Sequence, residues 1–141
     1  MPDKLSVEER LDIADLFSLY CHLIDSGQRE SWLDLFTSDG VFEVPGMGRM
    51  EGREQIGGVA DRVIEGSKGN WRHQMANVLP EAGARPGTAR VKAYSLVTDW
   101  SDGGAVSTFN DYDVELKKTG DKWRIVHLLA RPARITVGPD S

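Results

Sequence analysis

The chain has 141 residues, 40% hydrophobic and 28% charged, and a formal net charge of −5. That is the size of one domain, able to bury a core without disulfides or a structural metal. The acidic balance argues against nucleic acid, whose phosphates need a clustered basic face, and the longest basic run is Lys117-Lys118.

No apolar run approaches the roughly 20 residues that cross a bilayer, so no membrane partner is expected. The N-terminus, MPDKLSVEER, is too charged and acidic for a signal or transit peptide. A single cysteine, Cys21, rules out an internal disulfide and suits a reducing cytoplasm.

Ser6-Val7-Glu8-Glu9 is a capping box, which predicts a helix starting there. Val7, Leu11, Ala14, Ser18, Cys21 and Asp25 fall on one helical stripe, with Ile13, Phe17, Tyr20 and Ile24 beside it. Leu16, Leu19 and Leu23 widen the apolar surface, so the second half of the helix is expected to be deeply buried, and Ser26-Gly27 ends it. Trp32 to Phe36 reads as a short helical turn. Val41 to Val44 reads as a strand, and Pro45-Gly46 with Gly48 as a loop. Arg53 to Glu65 is a second long helix. Four strands are predicted after it, over 71–79, 88–100, 105–116 and 122–131, separated by Gly-rich turns. Helices first and long antiparallel strands after is an α+β plan, with a curved sheet wrapped over the helices and a pocket between them. No repeat or linker interrupts it. The expected organisation is a single domain over 1–141, its core about 5–131, with 132–141 a C-terminal tail.

Two polar residues stand out against this plan. Asp25 continues a buried stripe at a helix C-terminus, where both the macrodipole and burial disfavour its charge. It could be a turn residue satisfied by backbone donors, but a histidine is its natural partner. His73 is the candidate: in NWRHQMANV it shares one strand face with Trp71, Met75 and Asn77, a mixture suited to a pocket wall. A carboxylate on one ring nitrogen leaves the other free as a base. Tyr20, Tyr94 and Tyr112 are candidate acids or oxyanion donors, each equally suited to an ordinary amphipathic wall. Asn110 is placed to bind a carbonyl. His127, on a strand with Trp123, Ile125, Leu129 and Arg131, is either a second pocket base or structural. The spacing His22-x-x-Asp25 lacks a third metal ligand, and Gly46-x-Gly48 lacks the setting of a dinucleotide loop. No cofactor and no metal are therefore expected.

The order of elements, punctuated by YCHLIDSGQRESWLDLFTSDGVFEV, GREQI, RHQMANV and GDKWRIVH, resembles the SnoaL-like branch of the nuclear transport factor 2-like superfamily. That branch includes polyketide cyclases, scytalone dehydratase and hexachlorocyclohexane dehydrochlorinase. The resemblance implies a cone-shaped α+β barrel. It also implies that Asp25 and His73 act as the base that removes a proton while a leaving group departs. Three positions depart from the relatives. Trp100 stands where the dehydratase has a second histidine, Ile24 where it has a tyrosine, and Tyr20 where the dehydrochlorinase has a lysine. The expected function is a lyase acting on a hydrophobic small molecule, a dehydratase or dehydrohalogenase with His73, Asp25 and Tyr20 as catalytic residues. Trp71, Met75, Tyr94, Asn110, Tyr112, His127 and Arg131 are expected to line the substrate pocket. Isomerisation or cyclisation by the same proton transfer, or a non-catalytic role as a ligand-binding or oxygenase small-subunit-like domain, are the alternatives. Trp100 and Phe109 on the outer sheet face, together with the pairing habit of such relatives, predict a homodimer.

Overall fold

The computed structural model describes residues 4–133, so most of the expected C-terminal tail lies outside the described residues. Helix α1 (Val7–Asp25) begins at the predicted capping box, with Ser6 Oγ accepting from the Glu9 N–H and Glu9 Oε1 accepting from the Ser6 N–H, both at 3.0 Å. It stops where the Ser26 N–H donates to the His22 carbonyl at 3.1 Å and Gly27 turns left-handed at φ +72°, a conformation cheap for glycine.

The buried face of α1 is the stripe of larger side chains, Ile13, Phe17, Tyr20 and Ile24, widened by Leu16, Cys21 and Leu23. Val7 and Leu11, expected on the buried stripe, are exposed. The bulkier row removes more apolar area from water and wins the orientation. Asp25 falls at the margin of that row.

Helix α2 (Arg29–Leu33) lies three residues earlier than the predicted turn, because strand β1 (Phe36–Val44) takes over at Phe36. Where a loop was expected, β2 (Gly48–Glu51) folds back on β1 as a hairpin. Helix α3 (Gly52–Ser67) then crosses the sheet, buried through Ile56, Gly57 and Ala60. Arg29 fastens α2 to α3 through Asp61, Nε to Oδ1 at 2.7 Å, and Gly57 leaves room for the Arg29 guanidinium, which a side chain there would push aside.

The long strands are β3 (Trp71–Ala82), β4 (Thr88–Asp99), β5 (Ala105–Thr119) and β6 (Lys122–Pro132). The sheet order is β2-β1-β6-β5-β4-β3, with every neighbouring pair antiparallel except β1 and β6. Its concave face carries Val91, Ala93, Val114, Leu116, Ile125 and Leu128 against the helices, which is the core. The fold is thus the expected α+β one, a curved, mostly antiparallel sheet around N-terminal helices.

Two bulges re-aim side chains. In β3 the register passes from Ala76↔Tyr94 to Leu79↔Lys92, and Asn77 takes φ +52°. The bulge turns Asn77 out to solvent and lets Val78 pack on the core, so Asn77 does not share the face of His73. In β6 the register passes from Leu116↔Ile125 to Glu115↔His127, which leaves Val126 as the extra residue. Trp123 and Ile125 before it, and Leu128 and Ala130 after it, all face inward. His127, Leu129 and Arg131 consequently face away.

Candidate active site

Helix α1 delivers Asp25 from its last turn, and β3 delivers His73 from its third residue. The carboxylate grips the histidine twice. Oδ1 lies 2.6 Å from His73 Nδ1, and Oδ2 accepts from the His73 backbone N–H at 2.8 Å. The side chains are only 10% and 12% exposed. The two hydrogen bonds fix the ring orientation, and an ionised Asp25 makes Nδ1 the protonated nitrogen. Nε2 has no hydrogen-bond partner among the described residues.

The interior beside the pair is lined with hydroxyls. Tyr20 Oη lies 3.4 Å from Tyr112 Oη, with the rings edge-on at a centroid separation of 6.4 Å. Burial, then the neighbouring Tyr112 and the charge of Asp25, hold the Tyr20 phenol well above its usual range. Tyr112 is also raised by burial, but its hydrogen bond with Tyr20 works against the shift. Both are neutral donors at ordinary pH. Cys21, one residue from Tyr20, is pushed up to about 12 by burial and by Asp25, so its thiol is inert.

Met75 and Trp71 share the inward face of β3 with His73, each half-buried. Asn110 lies opposite Ser95 in the register, on the same strand face as Tyr112. The remaining candidates are elsewhere. Tyr94 is 46% exposed on the outer face, where its ring stacks on Phe109 at 5.8 Å. Arg131 is exposed on the same side. His127 bonds Glu43, Nε2 to Oε1 at 3.0 Å, also outside the concave face. The bulge at Val126 puts both β6 residues there, and simple alternation along β4 puts Tyr94 there. Trp100 sits in a 3-10 turn after β4, and the residue opposite His73 is Val97.

Two interior groups escaped the sequence reading. Ser95 is 1% exposed and Trp32 is 1% exposed, and neither Ser95 Oγ nor Trp32 Nε1 has a hydrogen-bond partner. Unpaired buried donors are costly and invite a ligand as the missing partner. Ser95 carried a signal: it is the one polar residue in the inward series Ala89, Val91, Ala93, Ser95, Val97 of β4. A separate cavity of about 860 Å³ opens at the far end of the strands, and none of the expected pocket residues lines it.

No helix among the described residues is long and apolar enough to cross a membrane. A family model described as a SnoaL-like domain matches residues 5–128. No curated protein matches the chain. Solved structures do. A Mycobacterium tuberculosis protein of unknown function superposes with TM-score 0.82 at 27% identity, over 95% of this chain and 77% of that one. A nuclear transport factor 2-like protein with a cystatin-like fold from Novosphingobium aromaticivorans gives 0.77 at 23% identity, over 89% and 82%. A protein of the same organism proposed to be a scytalone dehydratase gives 0.76 at 14% identity, over 91% and 86%.

Proposed function

The chain belongs to the SnoaL-like domain family, and from that membership together with the geometry at Asp25 we propose that it is a cofactor-independent enzyme using His73 as a general base. The observation that carries this is the double grip of Asp25 on His73, at 2.6 Å and 2.8 Å, which leaves Nε2 unengaged. Nε2 takes a proton from an activated carbon of a hydrophobic small molecule. Asp25 stays ionised and stabilises the imidazolium that forms. Tyr20 or Tyr112 donates a hydrogen bond to the oxygen that gains negative charge. Expulsion of a leaving group from the neighbouring carbon completes an elimination, which makes the protein a dehydratase or dehydrohalogenase. Return of the proton to another atom of the same substrate gives an isomerase, and bond closure by the carbanion gives a cyclase.

Incubation with a panel of small hydrophobic ketones and β-hydroxy or β-halo compounds in D₂O tests the proposal, with C–H loss followed by NMR. The parent exchanges or eliminates at least one of them, and His73→Gln loses about 10²–10⁴-fold in rate. A His73→Gln protein as active as the parent refutes the base. One observation favours a ligand-binding role instead: neither Asp25 nor His73 lines the 860 Å³ cavity. In that case no compound turns over, and His73→Gln changes nothing.

The outer sheet face supports a second proposal, a homodimer. Tyr94, Trp100 and Val106 are 46%, 59% and 55% exposed there and at its edge, with Phe109 stacked on Tyr94. Light scattering at micromolar concentration should give twice the chain mass, and Tyr94→Lys with Trp100→Lys should give a monomer.

A further inference from the structure

His73 has neighbours on its own strand that the proposed proton transfer does not use. Trp71 and Met75 stand two residues before and after it on the inward face of β3, about 7 Å away at ~3.3 Å per residue. Both are half-buried, whereas Tyr20, Tyr112 and Ser95 are buried. Part of the indole and part of the thioether are therefore open to an incoming molecule beside the base.

Trp71 is firmly held. Its backbone pairs with Asp99 in the β3–β4 ladder. The far end of its indole lies against the last turn of α3, where a Cβ on Gly66 would stand 3.6 Å from Cη2. Residue 66 has no side chain, so the helix supports the ring without covering it at that point. A flat, fixed and partly exposed ring next to a candidate base is suited to stacking another planar ring. Of the other tryptophans, Trp32 and Trp123 are buried and Trp100 lies in the turn after β4.

The charges at this end of β3 are mostly negative. Asp25 is one, Asp99 stands opposite Trp71, and Asp102 follows in the turn. Hydrogen bonds from Ser101 hold the Asp99 carboxyl below its usual range, so it stays ionised. Helices α1 and α3 both end here, and a helix C-terminus carries partial negative charge. Of the cations nearby, Arg72 lies on the opposite strand face with Nη1 turned to the Gly69 and Trp71 carbonyls, and Lys68 is the C-cap of α3. A carboxylate would enter against this field, and an uncharged ring would not.

We propose that Trp71 is a specificity-determining residue of the dyad site, a stacking platform that selects an uncharged planar aromatic substrate over a saturated or anionic one of similar size. The inference rests on the reading of Asp25 and His73 as the active site, and it names the class of molecule that the site takes.

Isothermal titration calorimetry of the folded protein at neutral pH tests it with 2-naphthol, the saturated trans-2-decalol and the anionic 2-naphthoate. 2-Naphthol is expected to bind saturably, at least about tenfold tighter than either of the others. Trp71→Phe keeps an aromatic face and should keep that preference. Trp71→Leu keeps apolar bulk without a π-face, and should bring 2-naphthol and trans-2-decalol within about twofold of each other. A residue that only fills the wall would shift both Kd values together and leave their ratio unchanged. The Trp71 indole N–H signal, assigned by its absence in Trp71→Phe, should move in heteronuclear NMR spectra with the Kd that calorimetry gives for 2-naphthol. His73→Gln should bind 2-naphthol as the parent does, whatever its rate of C–H exchange. Lost turnover in His73→Gln with an unchanged ratio in Trp71→Leu overturns the platform and keeps the base. A collapsed ratio in Trp71→Leu with His73→Gln as active as the parent overturns the base and keeps the platform. Absent saturation by 2-naphthol, or 2-naphthoate binding equally tightly, also overturns the inference.

Discussion

Among the described residues there are two histidine–carboxylate pairs of the same chemistry, and the fold treats them differently. Asp25–His73 is 2.6 Å long, with side chains 12% and 10% exposed, and the carboxylate also binds the histidine's own backbone. Glu43–His127 is 3.0 Å long, with both side chains near 30% exposed, and Glu43 Oε1 is shared with Arg49 at 3.3 Å. The inner pair joins a helix end to a strand across the core. The outer pair joins two neighbouring strands on the other side of the sheet. A base needs a fixed tautomer, a fixed ring and restricted water, and only the inner pair has the first two from its partner and the third from its burial.

The comparison breaks most sharply at the rate. His73→Gln is expected to lose about 10²–10⁴-fold in C–H exchange, whereas His127→Gln stays within about twofold. Equal losses would make the second histidine part of the machinery. Stability is the next probe. Asp25→Ala leaves a buried backbone N–H and Nδ1 without their acceptor and should cost about 1–3 kcal/mol in urea unfolding. Glu43→Ala removes a half-exposed pair and should cost less than about 1 kcal/mol. A reversed order would mean that the outer pair is the structural staple.

A smaller effect reports on the hydroxyls beside Asp25. Tyr20 and Tyr112 have folded pKa values raised above the ordinary 10.0 of the unfolded chain. Their contribution to stability is therefore complete below about pH 10 and is lost as pH rises toward the folded values. Absorbance at 295 nm should show two phenols silent until unfolding sets in above that range. In Tyr20→Phe only one should remain silent, with a weaker loss of stability at high pH. Ordinary titration of all phenols in the folded protein would mean that the interior is open to water.

Much of the architecture could be read directly. The Ser6/Glu9 capping box, the helix stop at Ser26-Gly27 and the four long strands are local signals, each written in a few adjacent residues. The pairing of Asp25 with His73 was readable for a different reason: two polar groups on buried faces need partners, and each was the other's available one. Trp32 gave no signal, because an indole N–H left unpaired in the core looks in sequence like any buried tryptophan.

Local chemistry in the sequence thus determined element type, the α+β order and the two polar residues most in need of each other. Tertiary structure decided which face each strand residue occupies. Period-two alternation holds only while both strands advance together, and one extra residue on one strand reverses every side chain beyond it. Asn77 and Val126 are such residues, at the register breaks Ala76/Leu79 and Glu115/Leu116. Whether a bulge forms depends on the partner strand and on the core it must cover, and neither is near it in the chain. For that reason the sequence could propose His127 and Arg131 for the pocket, and only the folded sheet could put them on its outer face.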